Sequence, residues 1–528
     1  MVLVVAKTGI STLDGLGCGP ALQVIEASGC ENLRNIAALS TATHLRLVNL
    51  SGTGVDDVSS LQCLGTLESL LLQGCRRLVD LQCWPTLEHA ARLRRVDLED
   101  TPIQRVAEDF KFPTGLQHLF LDKWPGSDLS FIPVESKLQT VFVRNRYLSD
   151  MTSLSNCGSH VQCVDLNDCT GVRSLSPLRS AAGLIQLSTV GTEVSDLTLL
   201  AGCLAKLERL FLKRCSGVRD ISVLKRARRL SMIDFTGTGV ADISALAASA
   251  GTLEKVLLDD CSALRDISVL SGARALTTLG MDNTSVSDIS ALAGCAPVLQ
   301  ALSLKNCSQV SSISALGGAR VLRTLNVTGT GVRDLSPLAG TAATLEKLFV
   351  RGCSGVSDIS VLTGAGRLSD IDFTGTRVAD ISPLAACART LQKMVLDGCS
   401  GLCDISVLSR ARALTLLDLE STAVEDISAI AGCAPVLELL LLGKCSGLCD
   451  ITALGGARRI RTLSLESTRV RDLSPLAGTA ATLEKLNLKG CSGVSDISVL
   501  AGAGRLTDVD LTGTSVADIS PHTASAPT

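Results

Sequence analysis

Aliphatic residues recur along this chain in one phrase, LxxLxLxx followed by DIS-x-L, and the phrase returns every 23 residues. Leu207-x-x-Leu210-x-Leu212 leads to Asp220-Ile221-Ser222-Val223-Leu224, and Leu230-x-x-Ile233-x-Phe235 leads to Asp242-Ile243-Ser244-Ala245-Leu246. The LxL portion alternates with period two, which predicts a short strand whose leucines point inward. A chain that repeats such a strand at so short an interval has to stack the copies in parallel. The Asp-Ile-Ser stretch predicts a short helical or 3-10 turn on the return, with the aspartate accepting backbone N–H groups at its start.

Two flavours of this unit alternate. One carries Cys followed by Ser-Gly-Val or a close variant, at Cys169, Cys215, Cys261, Cys307, Cys353, Cys399, Cys445 and Cys491; the other is anchored on Thr192, Thr238, Thr284, Thr330, Thr376, Thr422, Thr468 and Thr514. The same register runs back through Arg146, Trp124, Thr101, Cys75, Thr53, Cys30 and Thr8 in less regular steps. A longer period lies above the pair: Gly340 to Lys347 returns as Gly478 to Lys485, 138 residues on. The expected organisation is a single solenoid of about 23 coils over 1–528, with divergent repeats in 1–160, regular 46-residue double repeats in 161–528, and the 138-residue super-period from about 207. A unique catalytic site is not expected within near-copies.

Composition agrees with many thin, similar layers. Hydrophobic residues make up 46% of the chain but aromatics only 2%, a core rich in Leu, Val, Ile and Ala and poor in rings. Forty-nine basic against 52 acidic residues removes the electrostatic footprint of a nucleic-acid binder. Met1 to Val5 is too short an apolar run for a signal segment and no long apolar run follows, so the chain is expected to be cytoplasmic, with no membrane or nucleic-acid partner.

These residues carry a resemblance. The Thr-type unit, as in Thr376-x-Val378-x-Asp380-Ile381-Ser382-Pro383-Leu384, looks like the internalin-type leucine-rich repeat. The Cys-type unit, as in Cys353-Ser354-Gly355-Val356-Ser357-Asp358, resembles the cysteine-containing repeat of F-box adaptors, and the strict alternation is most similar to leucine-rich-repeat proteins of trypanosomatids. The resemblance covers essentially the whole chain. It implies an α/β repeat solenoid, a right-handed leucine-rich-repeat coil with parallel strands on the concave face and short helical or 3-10 turns on the convex face. It does not bring a function with it.

Metal and cofactor chemistry is not expected. Ten of the 21 cysteines are strand-end anchors, and Cys18, Cys63, Cys157, Cys203, Cys295, Cys387 and Cys433 fall at one place on the returning segment. Anchor cysteines two coils apart would lie ~9.6 Å from one another, beyond disulfide reach; buried, reduced thiols are the expectation. On that reading Cys353→Ser should cost about 1 to 3 kcal/mol by burying a hydroxyl without a ready partner. The pairs Cys399/Cys403 and Cys445/Cys449 lack the spacing and opposition of a zinc site, and one aspartate per coil is too few for calcium. His44, His89, His118, His160 and His522 lie in unrelated registers, and no catalytic constellation emerges.

Aromatic residues single out one region. Trp84, Phe110, Phe112, Phe120, Trp124, Phe131, Phe142 and Tyr147 are eight of the chain's twelve. The residue between the two inward leucines faces the concave surface, and there Phe120 and Phe142 occupy adjacent coils, followed by Phe211 and Phe349; these are the candidate partner contacts. Phe110, Phe112 and Phe131 read as core. The same position alternates between apolar residues in Cys-type coils and polar ones such as Asp234 and Asp372 in Thr-type coils, a row suited to an extended or helical protein partner. The expected function is a non-enzymatic protein–protein interaction scaffold within a larger intracellular assembly, its ends covered by partner chains or self-association. The alternatives are a substrate-recognition subunit of a ubiquitin ligase and a surface adhesin.

Overall fold

A computed structural model describes residues 1–15, 19–61, 65–82, 90–107, 110–122 and 124–519; Cys18, Cys63, Trp84, His89 and His522 lie outside them. The chain falls into two compact units, Met1–Ala263 and Leu264–Thr528. Among the described residues the first carries twelve short strands, from Val2–Val4 to Lys255–Leu257, and the second eleven, from Thr278–Gly280 to Asp508–Asp510. Each unit is the leucine-rich-repeat solenoid: parallel strands in register, joined by returning segments with 3-10 turns. In the second unit Leu325 pairs with Leu348 and Leu348 with Ile371, steps of one repeat.

The LxL reading holds in detail. The central residues Leu325, Leu348 and Ile371 are 0 to 1% exposed, and Val327, Val350 and Phe373, two positions on, are fully or almost fully enclosed. Burying a Leu, Val or Ile contributes roughly 1.5–3 kcal/mol, and every coil repeats that gain against its neighbours only. On the return, Asp380 Oδ1 accepts the Ser382 N–H at 2.8 Å and Asp404 Oδ1 that of Ser406 at 2.7 Å. The same bond recurs from Asp220 to Asp496. The aspartate sits one residue ahead of the helical cap, which is Ile381 in the turn Ser382–Ala386, so it closes an Asx turn into the 3-10 segment.

The alternation of threonine and cysteine has a physical cause. In nine Thr-to-Cys steps the threonine hydroxyl donates to the carbonyl three residues back, and the thiol of the next coil donates to that same carbonyl. At Thr238 the Oγ1 reaches the Phe235 oxygen at 2.7 Å, Cys261 Sγ reaches it at 3.2 Å, and the hydroxyl and thiol are 3.4 Å apart. Thr8 with Cys30 and Thr468 with Cys491 repeat the arrangement. The expectation that a hydroxyl at Cys353 would lack a partner is therefore corrected: the Val327 carbonyl is 3.1 Å away and Thr330 Oγ1 3.4 Å. A second correction concerns the divergent coils. Asn145, 4% exposed, takes the anchor place assigned to Arg146, and its carbonyl receives the Leu148 N–H at 3.0 Å as Cys169 receives Val172. A turn one residue shorter is invisible to counting.

The residue before most anchors lies at positive φ, as in Gly352 (75°) and Gly375 (67°), a region glycine enters without Cβ strain. Arg214 and Lys444 are held there at 63° and 61°.

Candidate functional site

Phe120 and Phe142 come together. They are direct partners in the parallel pair His118–Asp122 and Thr140–Arg144, the longest strands among the described residues. Both are half-buried, and their rings sit 5.2 Å apart at 35°. β-branched Val141 and Val143, fully or almost fully buried, extend the pairing beyond the usual three residues. Phe110, Phe112, Trp124 and Phe131, all 8% exposed or less, form a separate cluster. Their rings meet at 4.9 to 6.1 Å, several edge to face, so the cluster is core, as the sequence suggested for its three phenylalanines.

The aromatic pair lies between two nearly buried carboxylates. Asp97 pairs with Phe120 and Asp165 with Phe142, at 6% and 5% exposure. Arg95 places its guanidinium 4.6 Å from the centre of the Phe120 ring and binds Asp97 Oδ2 at 2.9 Å, a cation held over an aromatic face. Its Nε is buried without an acceptor. Burial pushes the Asp165 carboxyl up, partly offset by the Asn167 N–H that it accepts. His118, bonded to Thr140 Oγ1 at 3.1 Å, is pulled down by burial and by Arg95. At the ends of these strands a cleft of about 690 Å³ is lined by Ile103, Trp124, Pro125, Arg144 and Tyr147, among others. Tyr147 is 70% exposed with the Arg146 guanidinium 5.4 Å from its ring. Arg144 binds Glu99 at 3.3 Å. No signal in the sequence joined Arg95 to Phe120; the two are contacts between neighbouring strands.

Phe211 and Phe349 are half-buried single rings. Phe211 lies between Ser188 and Asp234, and Phe349 between Asn326 and Asp372. Asp234 and Asp372 also serve their own turns, each accepting the N–H two residues on, from Thr236 at 3.0 Å and Thr374 at 2.9 Å. The polar half of the row thus has a local structural cause that the alternation alone did not disclose.

The described cysteines are buried or half-buried except Cys403 and Cys449. Burial pushes Cys169, Cys387 and Cys433 up to about 12. No group of three or more His, Cys, Asp or Glu suited to a metal occurs among the described residues, and no helix among them is long and apolar enough to cross a membrane.

Among solved structures, the chain is similar to the plant peptide hormone receptor RGFR1 in complex with RGF2, at 15% identity over 97% of this chain and 91% of that one, with a TM-score of 0.58. It is similar also to the Arabidopsis receptor kinase HAESA in complex with the peptide hormone IDA and the co-receptor SERK1, at 13% identity, 89% and 82% coverage and a TM-score of 0.58. An internalin of Listeria monocytogenes matches at 22% identity over 65% of this chain and 84% of that one, with a TM-score of 0.48. No family model matches the chain, and no curated protein does.

Proposed function

We propose that this chain is a non-enzymatic binding scaffold whose principal contact surface centres on Phe120 and Phe142. The observation that carries the reading is the pair of half-exposed rings stacked across two strands, fixed between Asp97 and Asp165 and under the Arg95 guanidinium. Rigid aromatic area next to a desolvated charge is the make-up of an interaction hot spot. The leucine-rich-repeat neighbours with bound peptide hormones support a protein segment as the occupant. Phe211, Phe349, Asp234 and Asp372 contribute secondary contacts. The ladder of buried, unbridged thiols supports a reducing compartment, hence a cytoplasmic subunit of a larger assembly, and the alternation with its CSGVSDIS phrasing supports kinship with the trypanosomatid leucine-rich-repeat proteins.

The test is affinity purification of the full chain with mass spectrometry, beside a Phe120→Ala/Phe142→Ala protein. A partner recovered with the wild type should be lost or weakened by about 2 kcal/mol, roughly 30-fold. The matched Phe211→Ala/Phe349→Ala protein should lose less. An unchanged set of partners, with the fold intact, sinks the reading.

A further inference from the structure

Three serines occupy the row between the inward leucines, Ser188, Ser303 and Ser464. Ser188 Oγ donates to Asn167 Oδ1 at 2.6 Å, and Ser303 Oγ donates to Asp282 Oδ1. Each acceptor lies two residues beyond the serine's partner in the preceding strand, Asp165 and Gly280 respectively. Each also accepts a backbone N–H of the serine's own coil, from Val190 at 2.9 Å and Lys305 at 2.8 Å. Ser464 pairs with Leu441, so the matching position is Gly443. With no side chain there, the Ser464 hydroxyl is 95% buried and unpartnered.

The gap is acidic on both sides. A Cβ placed on Gly443 would fall 2.6 Å from Glu420 Oε1 and 3.2 Å from Ser464 Oγ, so the Glu420 carboxylate leans into the place that a side chain holds in other coils, and it and the orphaned hydroxyl converge on the glycine. On the far side Glu466 accepts from Asn487 Nδ2 at 3.2 Å and stands 3.9 Å from Lys489 Nζ. A cleft of about 460 Å³ opens beside Ser464, and Glu420, Glu466, Asp508 and Asp510 line it against one ammonium, Lys485. The other coils carry a side chain at the matching place, such as Lys305, Arg351, Asp397 or Lys489.

We propose that the cleft lined by Glu420, Ser464 and Glu466 receives an arginine side chain of a protein partner, its guanidinium set between the two glutamates and donating to Ser464 Oγ. The planar fork presents five donors and matches carboxylates bidentately, and it is more weakly hydrated than an ammonium. The charge excess calls for a cation, and the buried hydroxyl offers an acceptor that only a donor entering the gap would use. Asp418, two residues before Glu420, adds to the acidic surroundings: burial chiefly, and to a lesser degree the charges of Glu420, Asp397 and Asp372, push its carboxyl up to about 6 against the Glu420 N–H that it accepts. The site lies in the second unit, and it rests on the binding-scaffold reading only for the source of the arginine.

Octa-arginine titrated calorimetrically into the full chain at low salt tests it without the natural partner, so its outcome is separable from that of the Phe120–Phe142 experiment. Gly443→Asn supplies the amide that Asn167 supplies elsewhere; Gly443 does not lie at positive φ, so the change adds no backbone strain, and the flexible Glu420 carboxylate, 2.6 Å from the new Cβ, swings aside to admit it. It should weaken binding at least tenfold while raising the thermal midpoint. Should Gly443→Asn fold poorly, Glu420→Gln/Glu466→Gln should give the same loss, whereas Glu193→Gln in the first unit should bind as wild type. Binding within twofold of wild type in both site variants overturns the proposal. So does octa-lysine or calcium chloride binding with equal affinity and the same dependence on Gly443.

Discussion

Thr330 and Cys353, one coil apart, share a single acceptor: the hydroxyl donates to the Val327 carbonyl at 2.7 Å and the thiol donates to it at 3.1 Å. Removing the thiol should therefore cost more than replacing it. Cys353→Ala is expected to destabilise by about 1–2 kcal/mol, through a lost hydrogen bond and a small void. Cys353→Ser keeps a donor within reach and should cost about 1 kcal/mol or less. Denaturant midpoints of the two proteins decide the order, and a serine variant weaker than the alanine one contradicts the shared-acceptor account.

Thiol accessibility should follow the same architecture. Cys403 and Cys449 are the exposed members of the described set, whereas Cys157, Cys203 and Cys295, pushed up to about 11 by burial, are neither open nor ionised near neutrality. Brief alkylation of native protein followed by peptide mass mapping should label Cys403 and Cys449 first among the described cysteines. Comparable early labelling of Cys295 or Cys387 would mean that the returning segments open readily.

Acid should reveal Asp418. Its carboxyl is raised from 3.8 to about 6 in the folded chain, so between those pH values the native state holds a proton that the unfolded state has released. Stability from this group is fully present below pH 4 and declines as pH rises through 6. Asp418→Asn keeps an oxygen to accept the Glu420 N–H, bonded at 3.0 Å in the wild type. After discounting for partial exposure, it should stabilise by about 1–2 kcal/mol at pH 7.5. The difference from wild type should vanish near pH 4, and a constant difference across that range refutes the assignment.

Lys444 sits at φ 61° where the matching residues two coils away are Gly398 and Gly490, at 75° and 74°. Lys444→Gly should relieve left-handed strain and stabilise by about 0.5–1 kcal/mol, read from the denaturant midpoint. A loss of stability would show that the lysine side chain contributes more than its backbone costs.

The parts of this fold that were legible from sequence are those that repeat. Leu348, Ile381 and Asp380 have counterparts in most coils, and periodicity identifies their faces without any knowledge of contacts. The aromatic pair was legible as well, because Phe120 and Phe142 occupy one register position. What escaped depends on single departures. The turn at Asn145 is one residue short, and spacing alone assigned its buried place to Arg146. The Asx bonds of Asp234 and Asp372 run to their own backbone, so nothing in their alternation with apolar residues distinguishes a capping role from display. The significance of the missing side chain at Gly443 is visible only when Ser464 is set beside Ser188 and Ser303 and the missing acceptor is noticed.

The shared carbonyl gives the array a grain with consequences for its history. A threonine and the cysteine that follows it belong together, while the next step, from cysteine to threonine, lacks that common acceptor at Cys215 and Thr238. Recombination that inserts or deletes one coil sets two threonines or two cysteines side by side and breaks a partnership; an even number leaves every partnership whole. The near-copies 207–344 and 345–482 obey this rule, since their 138-residue offset is three such pairs. Natural length variants of this chain should therefore differ by multiples of 46 residues, with the couple of coils rather than the single coil as the unit of inheritance.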